Sequence, residues 1–119
     1  DILDALECIG EAQQYAVTEK ELNELNFALA NVYRRADRFK EAYEALKKVS
    51  IEKLDETSLF EYYIKRGYIM SGLTKYREAC QSFNKAQLHS RSDDNRKHAK
   101  LQWEKARLQK AYEEAKSKR

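Results

Sequence analysis

Two cysteines and two histidines are the residues of this chain best suited to metal or nucleophilic chemistry, and their placement withholds it. Cys8 and Cys80 stand 72 positions apart. Zinc sites gather thiolates and imidazoles in closely spaced pairs, and disulfide frameworks need more cysteines than this. His89 and His98 stand alone, with no histidine or cysteine partner at ligand spacing. The chain has no glycine-rich phosphate loop, no His-Glu-x-x-His run and no nucleophile elbow. The sequence therefore predicts no catalytic residue, no metal and no cofactor. Cys80 reads as a buried structural thiol rather than a nucleophile.

What must position the remaining side chains is a repeat. Ile2, Ala5, Ile9 and Ala12 recur as Phe39, Ala42, Leu46 and Val49, then as Tyr76, Ala79, Phe83 and Ala86, with 37 residues between copies. Intervals of three, four and three residues put each set on one helix face. A single such helix cannot hide that face, whereas stacked neighbours can, so the pattern predicts an all-α solenoid that presents a surface. Composition agrees: 119 residues fit one domain, Pro is absent and Gly occurs three times, as expected of a helical chain. Charged residues make up 36%, which suits thin helices with much outer surface. No apolar run approaches the roughly 20 residues of a membrane span. The absence of an initiator Met and of the first half of a repeat is read as a fragment of a larger protein.

Along the chain, residues 1–16 form the second helix of a truncated repeat, with Ile2, Ala5, Ile9 and Ala12 inward. Thr18 and Glu21 match a capping box. A helix follows to about Ala36 with Leu22, Leu25, Leu29, Val32 and Tyr33 as its stripe, and Asp37 is a candidate cap for a helix over 38–50. Residues 18–50 and 56–88 are the two full repeats, the latter with helices 58–72 and 75–88 joined by a turn at Gly72 and Thr74. Residues 89–95 read as a loop, and 96–117 as a terminal capping helix with Leu101, Leu108, Ala111 or Tyr112, and Ala115 inward. Trp103 on that helix is expected to pack near Phe83 or Leu88.

These residues resemble the tetratricopeptide repeat (TPR) family. The first full repeat offers Asn26, Leu29, Ala30, Tyr33, Asp37, Phe39, Ala42, Leu46 and Val49. The second offers Tyr63, Arg66, Gly67, Met70, Thr74, Tyr76, Ala79, Phe83 and Ala86, and the stretch from Lys75 to Ala79 is its sharpest part. Asn26 stands where the family has an aromatic residue, Arg66 where it has Leu, and the proline that ends a repeat is missing. The resemblance implies a right-handed superhelix of antiparallel helix hairpins, whose first helices line a concave groove that receives a peptide or partner helix. Carried over residue by residue, the partner-binding wall comprises Phe27, Asn31, Arg34 and Arg35 in the first repeat and Ile64, Lys65 and Tyr68 in the second. Its cations and apolar patches suit an acidic, partly apolar segment of a partner protein. The clamp with which some members grip chaperone tails is not expected: Asn31 and Lys65 occupy clamp-like places, but Phe27, Ala28 and Glu61 stand where cations or amides are needed.

Charge is uneven. From Ser90 to Arg119 there are ten Lys or Arg against five Asp or Glu, while residues 1–89 carry 13 against 15. A basic helix with a tryptophan can touch nucleic acid or an anionic membrane. The interspersed Glu104, Glu113 and Glu114 favour a solvated capping helix instead. The expected role is a protein-interaction scaffold; the alternatives are self-association through the first helix and an anionic-surface contact through the last. Free thiols in helices point to a reducing, cytoplasmic setting.

Overall fold

Three polar side chains, at positions 18, 55 and 92, start three of the helices. Thr18, Asp55 and Ser92 each accept from the amide three residues on, those of Glu21, Ser58 and Asn95, at 3.1, 2.8 and 3.1 Å. Each bond satisfies one of the donors that a helix start leaves orphaned. The computed structural model describes residues 1–16 and 18–118. Among them the regular structure is wholly helical: α1 Ile2–Tyr15, α2 Glu19–Arg35, α3 Phe39–Lys47, α4 Glu56–Gly72, α5 Tyr76–Leu88 and α6 Asp93–Ser117, with a 3-10 turn at Ile51–Lys53. Glu21, expected to reach back to the backbone, instead accepts from the Thr18 hydroxyl at 2.9 Å.

The caps explain where helix boundaries depart from expectation. Asp55 starts α4 before residue 58, and Ser92 starts α6 at Asp93, so part of the expected loop over 89–95 is helix. In contrast, α3 ends at Lys47 and not at 50. The buried Asn23 competes for the chain there: its Oδ1 accepts from the Ser50 amide at 3.0 Å, and its Nδ2 donates to the Ser50 carbonyl at 3.4 Å. A side-chain amide that pairs both groups of one residue gives the backbone an alternative to another helical turn.

Asp37 is not the cap of α3. Arg38 holds that position without a side-chain bond, and Asp37 adopts φ 60°. The amide of Arg38 donates to Tyr33 O at 2.8 Å and that of Asp37 to Arg34 O at 3.0 Å, the double closure of a Schellman motif. The turn after α4 repeats it, with Thr74 at φ 60°, Lys75 N to Met70 O at 2.8 Å and Thr74 N to Ser71 O at 3.0 Å. A β-branched residue is poorly suited to left-handed backbone. Thr74→Gly is therefore expected to stabilise the chain by about 1 kcal/mol. Urea unfolding monitored by circular dichroism checks this, and an unchanged or lowered midpoint refutes it.

The chain divides into two compact units, Asp1–Leu54 and Asp55–Arg119. In the first, α2 packs against both α1 and α3. Ala30 and Ala42 are wholly buried there, with Leu46 and Val49 beside them. Small residues at the crossing let helix axes approach to about 8–10 Å. Ile2, Ala5 and Ile9 on α1 are half-buried, but Ala12 is exposed. It matches the covered Val49 and Ala86 in register, yet among the described residues α2 is the main helix packed against α1, and the far edge of the α1 stripe stays open.

In the second unit α5 packs against both α4 and α6. Ala79, Ala86, Ile69 and Ala99 are fully buried, and Phe83 and Met70 nearly so. The inward side of α6 is not the expected one. Leu101, Leu108 and Tyr112 are 48, 63 and 60% exposed, and Ala111 and Ala115 also face water. Ala99 and Ala106 are buried instead, with Gln102, Trp103 and Lys110 half-buried beside them. Both stripes have helical spacing, so period alone cannot choose between them. The alanine stripe permits the closer approach to α5. Trp103 turns toward the packed side with the Arg107 guanidinium 5.4 Å from its ring, while Leu88, an expected neighbour, is 77% exposed.

Candidate protein-interaction surface

On α2, the residues proposed to meet a partner divide by depth. Arg35 is exposed, and Phe27, Asn31 and Arg34 are half-buried. Asn31 Oδ1 accepts from Arg34 Nη2 at 2.8 Å, one helical turn away, which fixes the amide and orients the guanidinium. Glu24 and Ala28 lie exposed on the same helix. The last turn of α2 carries both Arg34 and Arg35, where cations complement the negative helix end. This side of α2 thus carries two cations, an amide and an aromatic ring.

The α4 residues are more deeply committed. Ile64 retains only 8% exposure, so its side chain lies within the packed structure and not on an open patch. Lys65 is half-buried and donates to Glu61 Oε2 at 2.7 Å along the helix. Tyr68 meets the edge of Phe83 at 5.5 Å, and its hydroxyl lies 2.7 Å from His98 Nε2 on α6. The phenol therefore ties α4 to α6 within the second unit while part of the residue stays accessible.

One side chain that departs from the TPR pattern finds partners inside the hairpin. Arg66, in place of Leu, donates from Nη1 to Ser82 Oγ at 2.5 Å and to Glu78 O at 3.5 Å, and Ser82 Oγ in turn donates to Glu78 O at 2.9 Å. Ser82 is fully buried. A buried hydroxyl against a guanidinium replaces an apolar contact with a satisfied polar one. Asn26, in place of an aromatic residue, is buried at 7% exposure.

The histidines serve as ties. His89 Nδ1 lies 2.9 Å from Glu56 Oε2, and its ring stacks on Tyr63 at 5.6 Å with 10° between planes. Sequence gave no sign of this pair because Glu56 is 33 positions away. Among the described residues no three His, Cys, Asp or Glu gather as metal ligands would. Burial pushes the Cys80 thiol up, with the Lys110 and Arg107 cations opposing this less strongly, which disfavours the reactive thiolate. An open cavity of about 370 Å³ lies where the α4–α5 turn meets α6, lined in part by Lys75, Arg77, Lys110 and Glu114. Lys110 and Glu114 pair across its rim at 2.6 Å, so it concentrates no single charge.

The geometry so far is that of antiparallel helical hairpins with small residues at their crossings, repeated in register. A family model described as the SusR N-terminal TPR domain matches residues 4–119. The chain belongs to this TPR family. No curated protein and no solved structure matches it. TPR domains are in general non-catalytic scaffolds for protein–protein contacts. Among the described residues no helix is long and apolar enough to cross a membrane.

Proposed function

We propose that this TPR domain holds a peptide or helix of a partner protein in a groove lined by its first-type helices, and that the bound segment is acidic and partly apolar. The observation that carries the reading is the register of the caps. Thr18, Asp55 and Ser92 start α2, α4 and α6 at equal intervals, so Asn31, Tyr68 and Lys105 occupy equivalent positions, as do Phe27 and Leu101, with the buried Ile64 in the same register but not on the wall. Arg34, Arg35 and Lys65 supply the cations, which draw an acidic segment in and fix its register. The third helix adds Leu101 and Lys105 to a wall first drawn on two helices. Two free cysteines suit a cytoplasmic setting for such a scaffold.

The test uses a panel of fluorescently labelled acidic peptides with interspersed leucines, measured by polarisation against the parent and against Arg35→Glu with Lys65→Glu. The double reversal should weaken binding by a factor of about ten or more, two charged contacts contributing on the order of 1 kcal/mol each. Its circular dichroism should match the parent's. Equal affinity of parent and reversed chain for every peptide that binds would defeat the reading.

A further inference from the structure

Two faces of the protein match each other in length, apolarity and charge. On α6, Leu101, Leu108 and Tyr112 form an exposed stripe on the side away from α5, with Lys97 and Lys105 one turn before and after Leu101. Lys97, Lys105 and Lys116 outnumber Asp94 and Glu104 around it. On α1, residues 1–16 contain Asp1, Asp4, Glu7 and Glu11 and no Lys or Arg. Asp4, Glu7 and Glu11 are all exposed on the side turned from the half-buried Ile2, Leu6 and Ile9, and the same helix exposes Leu3 at 69% and Tyr15 at 79%. Among the described residues none of Asp4, Glu7, Glu11, Lys97 and Lys105 takes part in an ion pair.

The spacings agree. Leu3 and Tyr15 are about 18 Å apart along their helix, and Leu101 and Tyr112 about 17 Å along theirs, at 1.5 Å per residue. Glu7 and Glu11 fall between the apolar ends of α1, as Lys105 falls between those of α6. We infer that the acidic face of α1 of a second copy of this chain docks on the exposed stripe of α6, its Glu7 and Glu11 meeting Lys105, its Leu3 and Tyr15 reaching the apolar ends from the two flanks of that face, and Lys97 adding positive charge at the border. Such a contact joins two different surfaces, so it is heterologous and each copy keeps one free end for the next. It shares Leu101 and Lys105 with the proposed peptide wall but uses neither Arg35 nor Lys65, and Glu7 and Glu11 lie outside that wall, so reversal at Arg35 and Lys65 tests peptide binding, reversal at Glu7 and Glu11 tests docking, and the two failures are separate results.

The experiment is sedimentation velocity of the whole chain over a range of concentrations at low and high salt. Association should rise with concentration and fall steeply with salt, because exposed ion pairs are screened within about 10 Å at 0.1 M. Glu7→Lys with Glu11→Lys makes both faces basic; Lys97→Glu with Lys105→Glu makes both acidic. Each double variant alone should associate at least about tenfold more weakly, and an equimolar mixture of the two should regain the parent's association, since opposite charges again face each other. Leu108→Ser, at an exposed site, should weaken association without altering charge, so a folding defect in one charge variant does not decide the result. A parent that stays monomeric throughout, an α1 variant that associates like the parent, or a mixture that stays monomeric overturns the inference.

Discussion

Phe83→Ala is expected to remove about 3–5 kcal/mol of stability, the range for truncating a buried aromatic side chain. Phe83 is 1% exposed and heads the fully buried side chains by size. Its ring sits at the crossing of α4 and α5, against Gly67 and the edge of Tyr68 at 5.5 Å. Because whole domains are stable by only about 5–15 kcal/mol, the variant should unfold at a much lower urea concentration, with the helical signal at 222 nm lost in the same transition. Loss of less than about 1 kcal/mol would mean that the hairpin crossing is not where the second unit draws its stability.

Gly67→Ala probes the same crossing from the other side. A Cβ built on Gly67 would lie 2.6 Å from Phe83 Cδ1, well inside contact distance. Alanine is the better helix former by about 1 kcal/mol, so the substitution sets propensity against overlap. Overlap should win, because the ring is confined on its other sides and overpacking costs about 1–3 kcal/mol or more. The expected net effect is destabilisation by about 1–3 kcal/mol. Adding Phe83→Leu to Gly67→Ala should recover part of the loss, since a narrower side chain makes room for the methyl. Chemical denaturation of the two single variants and the double variant measures the coupling. Strict additivity of the two changes, or a more stable Gly67→Ala chain, would show that the close approach is not a constraint.

The repeat made this part of the fold legible in advance. Ala42, Ala79, Leu46 and Phe83 sit in register at the spacing of one helix face, and each is buried as the pattern requires. The Thr18 cap was legible for a similar reason, since capping depends on groups three residues apart. Asp37 misled because Asp serves both as an N-cap and as one of the few non-glycine residues found in left-handed turns. The α6 stripe misled because apolar spacing identifies a helix without saying which of two stripes meets a neighbour. Leu101 and Leu108 carry the larger apolar side chains, yet Ala99 and Ala106 give the closer fit.

By itself the sequence determined the secondary structure class, the repeat length and the residues at the hairpin crossings, because all three follow from periodicity along one chain. It also determined the family, whose motif is a pattern of side-chain sizes at fixed intervals. The tertiary structure alone decided which face of α6 is buried, that Asn23 holds Ser50, that Arg66 is absorbed by Ser82, and that His89 meets Glu56. Those pairs join residues 16 to 33 positions apart through polar groups. Such a bond leaves no periodic trace in the sequence, since it depends on where two helices come to lie and not on the spacing within either.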